Sequence, residues 1–239
     1  MGLFAPMQTE GVVGVNLRPE LKNGYTDRSR AVAQNFFLAF HPVQVSSANL
    51  RPTYSFGFGL LGLYSLLIMF VSGLLLMFHY IPEIDSAYTS MVRLETDVFL
   101  GGLIKNLHVV SGHALVAFAA LHLLRVFFTG AYAGRAGNWI LSVAMLVGAG
   151  LTVLTGYVLP WDQSAYWITS GAGEILAEGP IVGEWIRLLA FGSEDVSQAT
   201  LTRFYTLHFI VGPLALMALA GWHVFLLRRG GPAATEWGP

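Results

Sequence analysis

The sequence predicts an all-α protein, a transmembrane four-helix bundle with an amphipathic surface helix on its N-terminal side. Three observations lead there. Hydrophobic residues make up 54% and charged residues 11% of the 239, against about 25% charged in soluble domains, and mean hydropathy is +0.59. Four separate runs lack Asp, Glu, Lys and Arg over lengths that can cross a hydrocarbon layer as a helix. Two of those runs carry paired histidines at nearly equal spacing, His108 and His122 in one, His208 and His223 in the other.

Residues 1–53 read as a polar extension, with Arg18, Lys22, Arg28, Arg30 and Arg51. Within them Ser29 to Phe40 can lie on a membrane surface as an amphipathic helix. His41-Pro42 ends it, because the residue before proline is pushed out of the α region. The N-terminus lacks a basic n-region and an apolar h-region, so no cleaved signal peptide is expected.

Residues 54–229 form the bundle, with spans at about 54–80, 103–129, 139–159 and 202–227. The first span holds Gly59, Gly62 and Gly73. Their small size suits either ordinary helix packing in membranes or the close approach of a flat ring. His79, at its interfacial end, reads as structural. The connection from Ile81 to Leu103 carries Glu83, Asp85, Glu95 and Asp97, with a short surface helix expected around Ser86 to Leu94. The third span has no histidine and walls the bundle. It ends at G-Y-V-L-P-W-D-Q-S-A-Y-W (Gly156 to Trp167), where Pro160 cannot continue a helix and the aromatic residues suit an interface. The long connection that follows is expected to hold short helices near Ile175–Leu176 and Trp185 to Phe191. Residues 230–239 are a tail.

Nine of the thirteen Lys and Arg fall in the N-terminal region, the second connection and the tail, while ten of the fourteen acids fall in the first and third connections. The positive-inside bias therefore puts both termini on the cytoplasmic side. His108 and His208 then sit near the outer leaflet and His122 and His223 near the inner one, because the second and fourth spans run in the same direction.

Fourteen residues leave His108 and His122 on one helix face, about 40° short of four turns and roughly 21 Å apart. A lone histidine in a membrane helix would fit core hydrogen bonding or a proton relay as well as ligation. Four at matched depths on two parallel spans are far more specific. Zinc would want three or four donors at one point. Two separate imidazole pairs suit haem iron, whose other ligands come from the porphyrin. His113, about 140° around the helix from His108, faces away and is a helix contact. Haem propionates need cations. Arg125 and Arg203 flank the ligands, as does Lys105, although snorkelling to headgroups would explain all three positions. The chain has no cysteine, which excludes disulfides, iron–sulfur ligation and covalent c-type haem attachment on this chain.

These residues resemble the N-terminal, four-helix half of the cytochrome b family, especially the split cytochrome b6-type subunit. The resemblance runs from about Tyr54 to Arg229. Its carriers are the two histidine pairs, Gly59 and Gly73, L-H-L-L-R-V-F-F-T-G-A-Y, the G-Y-V-L-P-W-D-Q segment and T-L-T-R-F-Y-T-L-H-F. It implies two non-covalent b haems, a low-potential one at His108/His208 and a high-potential one at His122/His223. Gly59, Gly73 and Gly156 would make room for them. It also implies quinol oxidation outside, with one electron passing to a Rieske iron–sulfur protein. The other crosses the membrane to an inner quinone, and proton translocation follows.

Three departures from the family pattern stand out. Ser142 occupies the position fourteen residues before Gly156 where a glycine is usual. Lys105 stands for an arginine, which weakens bidentate propionate binding. Gly57 replaces the cysteine that fixes an additional haem in photosynthetic relatives. The P-E-W-Y motif of the outer quinol site belongs to the family's C-terminal half, so a separate subunit is expected to carry it. A c-type cytochrome, quinone, membrane lipid and a dimeric complex are the further partners implied; nucleic acid is not among them. The expected role is a redox subunit of a quinol–cytochrome c reductase-type respiratory chain complex in a bacterial inner membrane, rather than a complete enzyme. A dihaem quinone-linked anchor of another oxidoreductase is the alternative. A non-redox transporter or scaffold is remote, because no Asp or Glu lies inside a span.

Overall fold

Two levels of small-residue packing, separated by an apolar plug, organise the bundle. The computed structural model describes residues 12–13, 45–46 and 56–229; the expected N-terminal amphipathic helix at Ser29 to Phe40 lies outside them. In chain order the described elements are β1 (Val12–Val13) and β2 (Val45–Ser46), a two-residue antiparallel pair, then α1 (Phe58–Met77), α2 (Ile84–Asp97), α3 (Gly101–Phe128), α4 (Ala136–Val158), α5 (Gln163–Ala177), α6 (Gly183–Phe191) and α7 (Gln198–Thr206). A π-helical turn, Leu207–Val211, joins α7 to α8 (Gly212–Arg229).

Four helices are long and apolar enough to span a membrane: Phe58–Met77, Gly101–Phe128, Ala136–Val158 and the continuous Gln198–Leu227. The chain is a multi-pass membrane protein. Apolar composition alone does not satisfy the backbone, so each span must close its own hydrogen-bond ladder. Polar side chains inside the spans are satisfied locally: Ser65 donates to the Leu61 carbonyl at 2.9 Å and Thr152 to Gly148 at 2.8 Å, the usual back-bonding of a helical hydroxyl.

The spans pack as pairs. α1 lies along α3, α8 lies along α4, and α3 meets α4 across the middle. At mid-depth Leu66, Met69, Leu115, Ala149 and Leu216 form a buried cluster that separates the two ends. A second cluster, Val158, Phe191 and Phe204, closes the end where α4, α6 and α7 meet.

Local chemistry fixes the connections. Between α2 and α3 the chain doubles back so tightly that a Cβ on Gly101 would lie 1.8 Å from the Leu94 carbonyl oxygen; only glycine fits. Asp162 caps α5 by accepting from the Ala165 amide at 2.8 Å, and Ser197 with Thr200 forms a capping box at the start of α7, as short polar residues do at helix N-termini. α6 stops at Gly192, whose φ of 84° suits a left-handed C-cap. Tyr80 donates to the Leu159 carbonyl at 2.7 Å and so ties the end of α1 to the end of α4. Burial, with a smaller contribution from Tyr205, raises the Tyr80 phenol above its ordinary pKa. The helices expected around Ser86–Leu94, Ile175–Leu176 and Trp185–Phe191 are α2, α5 and α6, and α5 begins well before the apolar pair that signalled it.

Candidate functional site

The fourth span does not run as an unbroken α-helix past His208. Pro213 has no N–H to give and its ring crowds the preceding turn. The ladder widens instead, and the Gly212 amide reaches back five residues to the Leu207 carbonyl. Such a π-turn inserts one extra residue, often at functional sites. In a plain helix fifteen residues would put His223 about 60° past four turns from His208. With one residue absorbed by the bulge, fifteen behave as fourteen, and the second pair matches the phase of the first.

The four histidines meet across the bundle as two pairs. The His108 and His208 rings have centroids 5.9 Å apart and planes at 74°. Those of His122 and His223 are 6.4 Å apart, with planes at 85°. A metal ion held by one nitrogen of each ring at about 2 Å would separate ring centres by roughly 6 Å. Each pair therefore leaves the space that a metal held by both rings would need. Among the described residues no three His, Cys, Asp or Glu side chains gather as a metal site; the donors come in twos.

Second-layer contacts orient the rings. His108 Nδ1 lies 3.0 Å from the Met69 carbonyl and 3.0 Å from Ser72 Oγ, and His208 Nδ1 lies 2.8 Å from the Thr152 carbonyl. A carbonyl only accepts, so these Nδ1 atoms carry the proton and Nε2 keeps its lone pair. His223 Nδ1 faces Ser142 Oγ at 3.2 Å. This is how metal-ligating histidines are ordinarily fixed in tautomer and orientation.

Small residues back the rings. A Cβ added at Gly59 would come 3.2 Å from His122, one at Gly73 3.0 Å from His108, and one at Gly156 2.5 Å from His208. The fourth position, against His223, is Ser142. A cavity of about 650 Å³ opens beside the His108–His208 pair, lined by Gly73, Gly156, Phe209 and Met217 among others, within the usual size range of a ligand site. Near the other pair, Trp139 Nε1 is a buried donor with no partner among the described residues. A carboxylate oxygen would satisfy it. The donor set, the glycine backing and this orphaned donor together fit haem.

The flanking cations are placed differently. Lys105 pairs with Glu95 on α2. Arg203 donates to the carbonyls of Leu188, at 2.9 Å, and Leu189 at the end of α6, because Gly192 turns the chain back and leaves those acceptors exposed. Arg125 lies over the Phe56 ring, 5.8 Å from its centroid. His113 hydrogen-bonds Tyr157 across α3 and α4, and both line the cavity beside His108 and His208, so His113 does not face away from that level as its helix position suggests. Sequence reading missed Ser72, the carbonyls of Met69 and Thr152, and the π-turn; Pro213, five residues after His208, was the legible signal for the last.

Comparison with known proteins gives a consistent result. The Cytochrome b/b6/petB family model matches residues 43–231. Cytochrome b6 of Synechococcus sp. (strain CC9902) is 40% identical over 166 residues, covering 69% of this chain and 76% of that protein. Cytochrome b6 of Prochlorococcus marinus (strain MIT 9215) is 39% identical over the same extent. A solved chain of a hyperthermophilic respiratory Complex III superposes with a TM-score of 0.67 at 29% identity. The match covers 77% of this chain and 52% of that one, so this chain spans about half its length.

Proposed function

This chain belongs to the cytochrome b/b6 family, and from that premise we propose that it is the dihaem cytochrome b subunit of a bc- or b6f-like quinol-oxidising complex. The observation that carries the proposal is the double pair of facing imidazoles, 5.9 and 6.4 Å between ring centres, at two depths on the same two spans. His108 and His208 would hold the low-potential haem near the outer side, and His122 and His223 the high-potential haem near the inner side. Bound there, the two haems supply one-electron transfer across the bilayer between an outer and an inner quinone site.

The chain's own residues do the holding. Carbonyls of Met69 and Thr152 keep two rings in the tautomer that presents Nε2. Gly59, Gly73 and Gly156 keep side chains out of the space around the rings. The Leu66–Met69–Leu115 plug keeps water from joining the two levels. Arg125, Arg203 and Lys105 are the cations that would contact propionates, each from a contact it already makes.

The partners that complete such a subunit are a Rieske iron–sulfur protein, a separate subunit carrying the C-terminal half with P-E-W-Y, and a c-type cytochrome, in a dimeric complex. Likeness to the Complex III chain supports this company. The location proposed is a bacterial inner membrane with both termini cytoplasmic. The test is the dithionite-reduced spectrum of the purified subunit with pyridine haemochrome quantification. Two b-type haems per chain are expected, and one in the His122→Ala protein. A colourless protein, or a His122→Ala protein that keeps both haems, would overturn the assignment.

A further inference from the structure

Three of the four positions that back the histidine rings are glycine, and the fourth is not. Ser142 sits on α4 fourteen residues before Gly156, on nearly the same helix face, but offers a hydroxyl where Gly156 offers nothing. Its single proton is already committed: Ser142 Oγ donates to the Asn138 carbonyl one turn earlier at 3.0 Å. What it turns toward His223 Nδ1, 3.2 Å away, is therefore a lone pair. The ring N–H donates into it, and the Asn138 carbonyl is itself a second acceptor for the ring, so hydroxyl and carbonyl together hold Nδ1–H. Linked hydrogen bonds of this kind polarise one another.

We propose that Ser142 is a positioning residue that raises the basicity of His223 Nε2 through its Nδ1–H, and thereby holds down the reduction potential of the haem at the His122–His223 level. The inference rests on the haem assignment above. A ring that donates its distal proton to an oxygen acceptor becomes a stronger ligand. A stronger electron donor favours the oxidised iron over the reduced one, so the hydroxyl lowers the potential. Space-filling alone does not account for the residue, because alanine would fill nearly the same volume without the bond. On α1, Ser72 Oγ lies 3.0 Å from His108 Nδ1 and donates its proton to Ile68 at 2.6 Å. There the Met69 carbonyl is a second acceptor for the His108 Nδ1–H, at 3.0 Å.

The experiment is a potentiometric titration of both haems in the purified complex carrying Ser142→Ala, Ser142→Gly or Ser142→Thr. Ala and Gly remove one of the two acceptors, leaving the Asn138 carbonyl, and are expected to shift the reduction equilibrium of the His122–His223 haem toward the reduced form by two- to tenfold. Tenfold is about 59 mV for one electron. The His108–His208 haem should not move, and Thr, which keeps the hydroxyl, should restore the parent value. If Ala costs the haem, Gly, already tolerated at the other three positions, carries the measurement. An unchanged or lowered potential in both Ala and Gly overturns the proposal, as does a Thr protein that shifts as far as Ala. Failure of the haem assignment looks different: the second component is then missing from the parent protein.

Discussion

In a Gly156→Ala protein the added methyl would lie 2.5 Å from His208 Cε1 and 2.9 Å from Nδ1. Non-bonded carbons rest at about 3.5–4.0 Å, so the overlap is about 1 Å. The ring cannot simply swing aside, because Nδ1 is tied to the Thr152 carbonyl at 2.8 Å and the wide turn fixes its backbone. Overpacking of this kind costs about 1–3 kcal/mol. The better helix propensity of alanine returns at most about 1 kcal/mol. The clash wins, leaving a net loss of stability of up to about 2 kcal/mol, and a His208 ring pushed off its Thr152 contact should hold haem less well at the His108–His208 level. At Gly73 and Gly59 the same methyl would meet a ring at 3.0 and 3.2 Å, which a shift of a few tenths of an ångström relieves. The expected order of haem loss is therefore Gly156→Ala, then Gly73→Ala, then Gly59→Ala. The assay is haem per chain by pyridine haemochrome, with reduced spectra to identify the component lost. Equal loss in all three, or greatest loss at Gly59, would refute reasoning from these distances.

Two further predictions follow the same logic. A Cβ at Gly212 would lie 2.6 Å from Thr152 Oγ1 and 2.9 Å from its Cγ2, so Gly212→Ala should weaken haem retention at the His108–His208 level. Adding Thr152→Ala removes the two nearest atoms, leaving the Leu207 carbonyl at 3.0 Å, and should restore part of it in a double-mutant cycle; simple additivity of the two losses would count against the close approach. Burial raises the Tyr80 phenol, so its contribution to stability is complete below the unfolded pKa of about 10 and is lost as pH rises above it. Tyr80→Phe forfeits the bond to Leu159, about 1 kcal/mol, and should flatten the alkaline loss of thermal stability above about pH 10. An identical alkaline profile in both proteins would show that Tyr80 does not titrate with folding.

The spans and the candidate residues were legible in the sequence because both are one-dimensional. A run without charge is read by counting, and so is the spacing of His108 and His122 on a regular helix. The membrane forces each spanning segment to satisfy its own backbone, so composition specifies the helices with little help from neighbours. The three glycines could also be singled out, although their partners could not. The structure, not the spacing, attaches Gly59 to His122, Gly73 to His108 and Gly156 to His208.

Other features depended on contacts between distant segments. The sequence places Lys105 and Arg203 beside the ligands, but not their contacts with Glu95 and the carbonyl end of α6, since neither neighbour is near in the chain. The fifteen-residue spacing of His208 and His223 carried the wrong phase for a plain helix. Only the π-turn, opened by Pro213 and seated where Gly212 packs against Thr152, turns it into the same register as the first pair. By itself the sequence determined how many helices cross the membrane and which imidazoles they carry. The tertiary structure decided how closely the paired rings approach, and which hydroxyls and carbonyls hold them, because the angle of a side chain in a bundle is set by the helix opposite.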